Sequence, residues 1–596
     1  MKPERRLTEL RAALKRRDLT GLLVPRADEH LNEYVPASAD RLRWLTGFTG
    51  SAGLAIVLSE RAAIFTDGRY QLQIRAEVDA ARFEIRHSIE EPAEAWLAEA
   101  LRPGDRIGFD PWLHAEEGLA PLRRAVEGVG AALVPVEPNP VDEVWTDRPA
   151  LPASQVAPHP AVFSGEDSAA KRARIGEAVA KAGAAAAVLT APESIAWLLN
   201  IRGDDVPYNP VALAFAILRA DGRVTLFLDP ERVDPGTRAH LGTGVAIEPR
   251  AALGAALDRL AAAREAVLVD PRTAPIWFAE RLRTAGARVL AEPDPVALPK
   301  ATKNTVEQAG ARAAHRRDAV AVCRFLAWLD REGPTATLTE IEAAERLLAL
   351  RAEGERFRGE SFPAISAAGP NGAIIHYRAT AATNRPLVSG DLYLTDSGAQ
   401  YLDGTTDVTR TVLIGDPPAD IAEIRDRFTR VLKGHIAIAT LRWPKGVAGP
   451  HVETMARRAL WDVGLDYDHG TGHGVGSYLA VHEGPTGLSR AARPIPLVPG
   501  MILSNEPGFY APGRWGIRLE NLLLVVEAPF EGAAKPFLGF ETLTLAPFDR
   551  RLIDLALLSP AERSWLDTYH ACVVHEVGPL LDPAERLWLA AACRAL

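Results

Sequence analysis

Four short motifs recur in the same order along the first half of this chain, and no other feature narrows its fold as much. Arg43-WLTGFT-Gly50 returns as Ala196-WLLNIR-Gly203, and Ile64-FTDGRY as Leu226-FLDPERV. Phe109-Asp110-Pro111 returns as Val269-Asp270-Pro271, and Glu137-PNPVD as Glu292-PDPVA. The offsets are 153, 162, 160 and 155 residues. One such match is chance, but four collinear ones indicate two copies of one structural unit. Inside the first copy, Leu7, Leu10 and Leu14 have the spacing of one helix face over residues 6–17. The apolar run Leu22–Val24 then reads as a buried strand. Helix followed by strand, repeated, predicts α/β layers. Two α/β domains are therefore expected, over 1–150 and 151–300. The Pro-rich stretch Pro149–Pro160 is the expected linker, and a second boundary is expected near Pro299–Lys300.

The remaining 296 of 596 residues exceed what either copy can absorb, so further domains are required. With a net charge of -9, wrapping of nucleic acid or of anionic membrane is not expected. No run of 18 apolar residues occurs, so no membrane span is expected. The opening MKPERRLTEL has no apolar stretch after its charges, so no secretory leader is expected. Cys323, Cys572 and Cys593 fit neither a disulfide framework nor a zinc knuckle, which favours reduced thiols and a cytoplasmic protein.

The third part opens with a helical pattern over Thr305–Glu332. A second helix follows from about Thr339, where Thr339 and Glu342 form a capping-box pattern. Strands and glycine-rich turns dominate from Phe362, within a domain expected over 301–548. Ser559-PAERSWL and Asp582-PAERLWL each combine a cap residue, Pro at the first helical position and Glu at the third. They predict a helical extension over 549–596.

The chemistry concentrates between these helices. Asp396 ends the apolar run LYLT, and Asp407 lies on the return strand TTDVTRT. Their spacing of 11 predicts a wide or bulged loop over Ser397–Gly404 rather than a two-residue turn. Glu506 and Glu520 are 14 apart, with Gly513 of the turn signal Ala511-PGRWG midway. A hairpin folded there sets the two carboxylates opposite each other, which is unfavourable unless a cation lies between them. The alternative is one Glu paired with Arg518 at a sheet rim. His473 stands in His469-GTGHGVG, where glycines permit close backbone approach. His376 and His482 are further candidates, as packed or as functional histidines. One imidazole with four carboxylates suits a pair of hard ions such as Mn²⁺, with Co²⁺ or Zn²⁺ possible, better than structural zinc.

The sequences LTDSGAQYLDGTTDVTRT, HGTGHGVGSYLAVHEGP, SNEPGFY and GIRLEN, in that order, resemble the pita-bread metallopeptidases. Within them the chain is similar to the three-domain Xaa-Pro aminopeptidases, from TDGRY near residue 66 to the C-terminal extension. The resemblance implies two creatinase-N-terminal-like α/β domains before a pita-bread catalytic domain, and a homodimer. It implies two divalent ions held by Asp396, Asp407, His473, Glu506 and Glu520, with Asp407 and Glu520 bridging. It further implies Glu506 as proton acceptor, His376 and His482 as substrate contacts that stabilise the tetrahedral intermediate, and His469 as a proton shuttle or support. Arg69 is similar to a family substrate-binding arginine. The implied substrates are peptides beginning Xaa-Pro. An Xaa-Pro dipeptidase or a non-catalytic binding protein on the same fold are the alternatives. The former resembles shorter, two-domain chains, and the latter lacks ligands that are all present here.

Overall fold

The computed structural model describes residues 3–596; Met1 and Lys2, part of the opening read above for a leader, lie outside them. The chain forms two compact units. One holds the chain to Ala161 with Glu166–Ala297, and the other Val162–Gly165 with Leu298–Leu596.

The first unit contains two six-stranded sheets. In the first, strands Glu84–His87, Ala62–Thr66, Leu54–Leu58, Gly21–Pro25, Arg106–Phe109 and Ala132–Pro135 lie side by side in that order. In the second, the order is Val245–Glu248, Val224–Phe227, Phe215–Arg219, Ala186–Leu189, Ala266–Val269 and Arg288–Ala291. The sequence ranks of the strands are identical in the two sheets. So are the pairings, antiparallel around the first and second strands and parallel at both flanks. The repeated motifs occupy equivalent places. Alternation along the strands feeds two cores: Leu22, Val24, Ala55 and Val57 face one side, and Leu23, Ile56 and Phe65 the other. Helix Pro3–Arg16 covers the first face with Leu7, Leu10 and Leu14, as its spacing predicts.

The two copies also meet through one segment used twice. Ala115 bridges Pro275, and these positions are 160 apart, the offset of the motif that precedes them. The amide of Glu117 donates to the Pro271 carbonyl at 2.9 Å, and that of Trp277 to the Pro111 carbonyl at 3.2 Å. The second bond is the first moved by one repeat. Such reciprocal pairing is what a two-fold axis produces in a dimer, here within one chain. Pro149–Pro160 is not wholly a spacer: Ala157–Pro158 pairs with Ile201–Arg202, and Val156 bridges Val233. A Pro-rich segment can still form a short edge strand, because an edge leaves one set of N–H groups unused.

The second unit combines helices with antiparallel sheets. The long helix Thr305–Glu332 and the helix Glu340–Ala352 start at capping boxes built on Asn304–Glu307 and Thr339–Glu342. Strand Leu392–Ser397 pairs with Ile365–Ala368 on one side and Val408–Leu413 on the other. Strands Ile502–Asn505 and Asn521–Glu527 form the centre of a second, larger sheet, with Gly472–Gly474 and Glu483–Leu488 beside them. The two C-terminal helices, Pro560–Val577 and Pro583–Ala592, carry both predicted capping boxes. Their Leu566, Tyr569, Val573 and Leu589 enter the same core as Phe428, Trp515 and Ile517.

Candidate metal centre

Two hairpins supply the carboxylates. In the first, Ser397 pairs with Val408 and Tyr401 with Gly404, so the chain turns in two residues, Leu402 and Asp403. The wide loop expected over Ser397–Gly404 does not form, and Asp403-Gly404 is not the turn. Asp403 is drawn instead into ion pairs with Arg317 and with Arg356, the latter at 2.6 Å. Asp396 consequently faces Thr409, and Asp407 stands on the diagonal of the same face.

In the second hairpin, Asn505 pairs with Asn521 and Gly508 with Arg518. This is one continuous register, and it sets Glu506 across from Glu520 as their midpoint predicted. Between the two lies a break in the ladder, where the Glu506 amide donates to the Thr471 carbonyl at 2.8 Å. The Glu520 amide donates to the Thr409 carbonyl at 3.1 Å, which ties the second hairpin to the first. Arg518 does not pair with either Glu. Its guanidinium donates to Asp396 Oδ2 at 2.7 Å and to the Tyr510 hydroxyl at 2.7 Å.

His473 is held by backbone contacts that only glycine permits. A Cβ on Gly472 would lie 1.9 Å from the Ser504 carbonyl oxygen, and one on Gly474 would lie 2.2 Å from that of Glu483. The His473 Nδ1–H donates to the Gly474 carbonyl at 2.9 Å, which leaves Nε2 with its lone pair. That Nε2 lies 3.6 Å from Asp407 Oδ2 and 3.4 Å from Glu506 Oε1. Ligand atoms of Asp407, His473 and Glu520 all fall within 4.8 Å of one another.

The carboxylates are crowded, and all but Glu506 are buried. Burial, then repulsion from Asp396 and Glu506, holds the Asp407 carboxyl well above the usual range. Burial, then Asp407 and Glu506, does the same to Glu520. Burial raises Glu506 as well, against the pull of His473 and Arg518. Asp396 Oδ1, Asp407 Oδ1 and Glu520 Oε1 are buried without a hydrogen-bond partner. Unpaired buried oxygens on mutually repelling carboxylates are costly. A cation at their focus removes both penalties, so these residues fit divalent metal.

The other predicted residues are placed as follows. The His482 ring stands edge-on to His473, with centroids 4.3 Å apart. His469 Nδ1 donates to the Gly470 carbonyl at 2.8 Å, so its Nε2 accepts from the Tyr510 hydroxyl at 2.9 Å. Burial pushes the Tyr510 phenol up to about 12, so at neutral pH it has a proton to donate. His376 is half-buried just after the 3₁₀ turn Gly369–Ala373, whose Gly372 touches Gly516 of the second hairpin. Arg69 belongs to the first unit and is bound bidentately by Asp67 at 2.9 and 2.8 Å, the arrangement in which it serves its own turn.

Sequence reasoning missed the supports. Thr409 donates to Glu520 Oε2 at 2.7 Å, and Ser504 to Glu506 Oε1 at 3.0 Å. Tyr510 and Arg518 connect Asp396 to His469. The available signal was position: Ser504 and Arg518 each stand two residues from a ligand candidate, on the same strand face.

Known proteins agree with this architecture. Residues 309–527 match metallopeptidase family M24, and 536–596 match the C-terminal region of peptidase M24. Residues 6–144 and 147–307 each match a creatinase/prolidase N-terminal domain. A probable Xaa-Pro aminopeptidase P of Aspergillus fumigatus is 40% identical over 98% of this chain and 91% of its own. Aminopeptidase P2 of Arabidopsis thaliana is 39% identical over 95% of this chain and 84% of its own. The crystal structure of an X-prolyl aminopeptidase from Caenorhabditis elegans, described as a cytosolic enzyme with a di-nuclear active site, superposes with a TM-score of 0.95. It is 35% identical and covers 100% of both chains. The chain belongs to metallopeptidase family M24, as a relative of the Xaa-Pro aminopeptidase P proteins.

Proposed function

We infer that this protein is a dinuclear-metal aminopeptidase that releases the N-terminal residue from peptides with proline second. The observation that supports this most is the convergence of Asp407, His473 and Glu520, with partnerless buried oxygens on Asp396, Asp407 and Glu520 and with Glu506 beside His473. A non-catalytic binding protein has no use for that arrangement. An Xaa-Pro dipeptidase is the weaker alternative, because the likeness to aminopeptidase P relatives runs the whole length of the chain.

Two divalent cations at this focus supply Lewis acidity toward a peptide carbonyl and water activated near neutral pH. Asp407 and Glu520, whose ligand atoms converge with that of His473, would bridge them. Glu506, held by Ser504 and raised by burial, accepts the proton of the attacking water and passes it to the leaving proline nitrogen. His482, packed on His473, and His376 donate hydrogen bonds to the developing oxyanion. His469, fed by Tyr510, supports proton movement at the rim. Proline after the scissile bond offers no N–H, so its recognition is by shape. Arg69 remains a candidate substrate contact whose present partner is Asp67.

Four carboxylates with one imidazole favour Mn²⁺ over Co²⁺ or Zn²⁺. Free Cys323, Cys572 and Cys593 support a cytoplasmic location, and the homodimer is carried by the family resemblance. Among the described residues no helix is long and apolar enough to cross a membrane. We propose domains over 1–150, 151–300, 301–548 and 549–596; the matches over 6–144, 147–307, 309–527 and 536–596 support the order and number of these parts.

Mass spectrometry of Arg-Pro-Pro and of Xaa-Pro dipeptides, incubated with Mn²⁺-loaded wild type and Glu506→Gln, tests the proposal. Wild type is expected to release arginine from the tripeptide, with turnover in the variant lower by roughly 10²–10⁴. Cleavage of dipeptides alone establishes the dipeptidase instead.

A further inference from the structure

Three charged side chains lie buried beside the candidate centre and have no part in the chemistry above. Lys300 and Lys303 stand on the stretch that leads into the long helix. Both reach Glu483: Lys300 Nζ meets Oε2 at 2.6 Å, and Lys303 Nζ meets Oε1 in a still shorter contact. The side chains are 7%, 1% and 1% exposed for Lys300, Lys303 and Glu483. The lysine stretch is itself fastened to the larger sheet. The Lys303 amide donates to the Gly500 carbonyl at 2.9 Å, and a Cβ on Gly500 would lie 2.6 Å from the Lys303 carbonyl oxygen. Buried Glu307 adds a second negative charge acting on Lys303, so two ammoniums face two carboxylates.

Stability does not account for this cluster, because apolar residues of similar volume usually serve as well or better. Position does. Glu483 follows His482 in sequence and pairs with Gly474, which follows His473. Between the pairs His473–Gly487 and Gly474–Glu483, the second strand carries three extra residues, Gly484–Thr486. Bulges next to active sites re-aim side chains, and a one-residue slip turns a side chain to the opposite face. A register this irregular needs an anchor. The double contact at Glu483 supplies it where both histidines are set.

We propose that Lys300, Lys303 and Glu483 form a buried clamp that fixes the register of the strand that carries His473 and the one that His482 leads into, and so act as positioning residues for the reaction. This rests on the peptidase reading of the centre. The test uses the full chain with Lys303→Met, Lys300→Met, Glu483→Gln and the Lys303→Met/Glu483→Gln pair. Far-UV circular dichroism and metal content establish that each is folded and loaded. The visible spectrum of the Co²⁺-substituted form reports the ligand geometry at His473, and kcat and KM are measured on Arg-Pro-Pro. The lysine variants are expected to keep both metals, shift the Co²⁺ bands and lose about 10- to 100-fold in kcat, the scale set by groups that orient metal ligands. KM should change much less, and the losses of Lys303→Met and Glu483→Gln should not multiply in the pair. A folded, loaded Lys303→Met with wild-type kcat and Co²⁺ spectrum overturns the clamp. So does failure of both lysine variants to fold, which makes the cluster a folding element. If wild type itself does not cleave Arg-Pro-Pro, the peptidase reading fails, and the Co²⁺ spectra still decide the clamp.

Discussion

Asp407 and Glu520 each keep one carboxylate oxygen that accepts no hydrogen bond inside the fold. The other oxygen of Glu520 is occupied by Thr409 at 2.7 Å. For Glu520 this division leaves one oxygen steadied and one open to a cation. Asp396 shows the same division, with Oδ2 on Arg518 and Oδ1 open. Burial, then repulsion from neighbouring carboxylates, holds Asp407 and Glu520 well above the usual range, and we take these two as the bridging pair. Asp407→Ala or Glu520→Ala is therefore expected to lose both ions together, whereas His473→Ala should weaken one. Metal analysis of the purified variants checks this, and two ions retained in Asp407→Ala would assign the bridge elsewhere.

The element that matters most is the ladder around His473. Its glycines are present because of space rather than backbone freedom: neither Gly472 nor Gly474 has a positive φ. A methyl group at Gly474 meets the Glu483 carbonyl at 2.2 Å, and backbone cannot give way as a flexible side chain can. Gly474→Ala is expected to destabilise by about 1–3 kcal/mol, the usual cost of overpacking, and to weaken metal binding. Gly484→Ala is the control, since a Cβ there meets nothing within 4 Å. Denaturant midpoints should fall for the first and hold for the second; equal midpoints would show that the strands can part without cost. The C-terminal helices act at the same scale. Tyr569 accepts from the Arg410 guanidinium at 3.0 Å, and Arg410, next to Thr409, also donates to the Glu520 carbonyl at 2.6 Å. The extension thus braces the back of the first hairpin.

For the whole molecule, the crowded carboxyls tie stability to pH. In the metal-free protein Asp407, Glu506 and Glu520 have folded pKa values raised above their ordinary 3.8, 4.5 and 4.5. Each then stabilises the fold fully only below its ordinary value. That contribution is lost as pH rises through the raised one. Metal-free wild type should lose more thermal stability than Glu520→Gln as pH rises from about 5 to about 8. Mn²⁺ should reverse the loss, because a ligand that binds only the folded state stabilises it. Parallel melting curves for the two proteins across that range would contradict the crowding argument. At this scale the first unit follows a separate logic. One sheet order is used twice, and the copies meet as two subunits of a dimer would.

What lies close together in sequence was legible there. The recurrent motifs gave the two equivalent sheets, and Ser559–Glu562 and Asp582–Glu585 gave both late helices. The Gly513 midpoint gave the register that opposes Glu506 and Glu520. Caps, turns and alternation act over a few residues, so their chemistry is written in adjacent letters. Tertiary structure decided the rest. The turn moved one residue back to Leu402–Asp403, with Asp403 paired to Arg317 and Arg356. Arg518 found Asp396, 122 residues away, instead of a neighbouring Glu. Lys303 found Glu483 at a separation of 180. A long-range ion pair depends on which groups the packed layers bring within reach, and no local spacing encodes that. The candidate ligand types could thus be read from the chain, while the residues that aim them are fixed only by the packing of the strands.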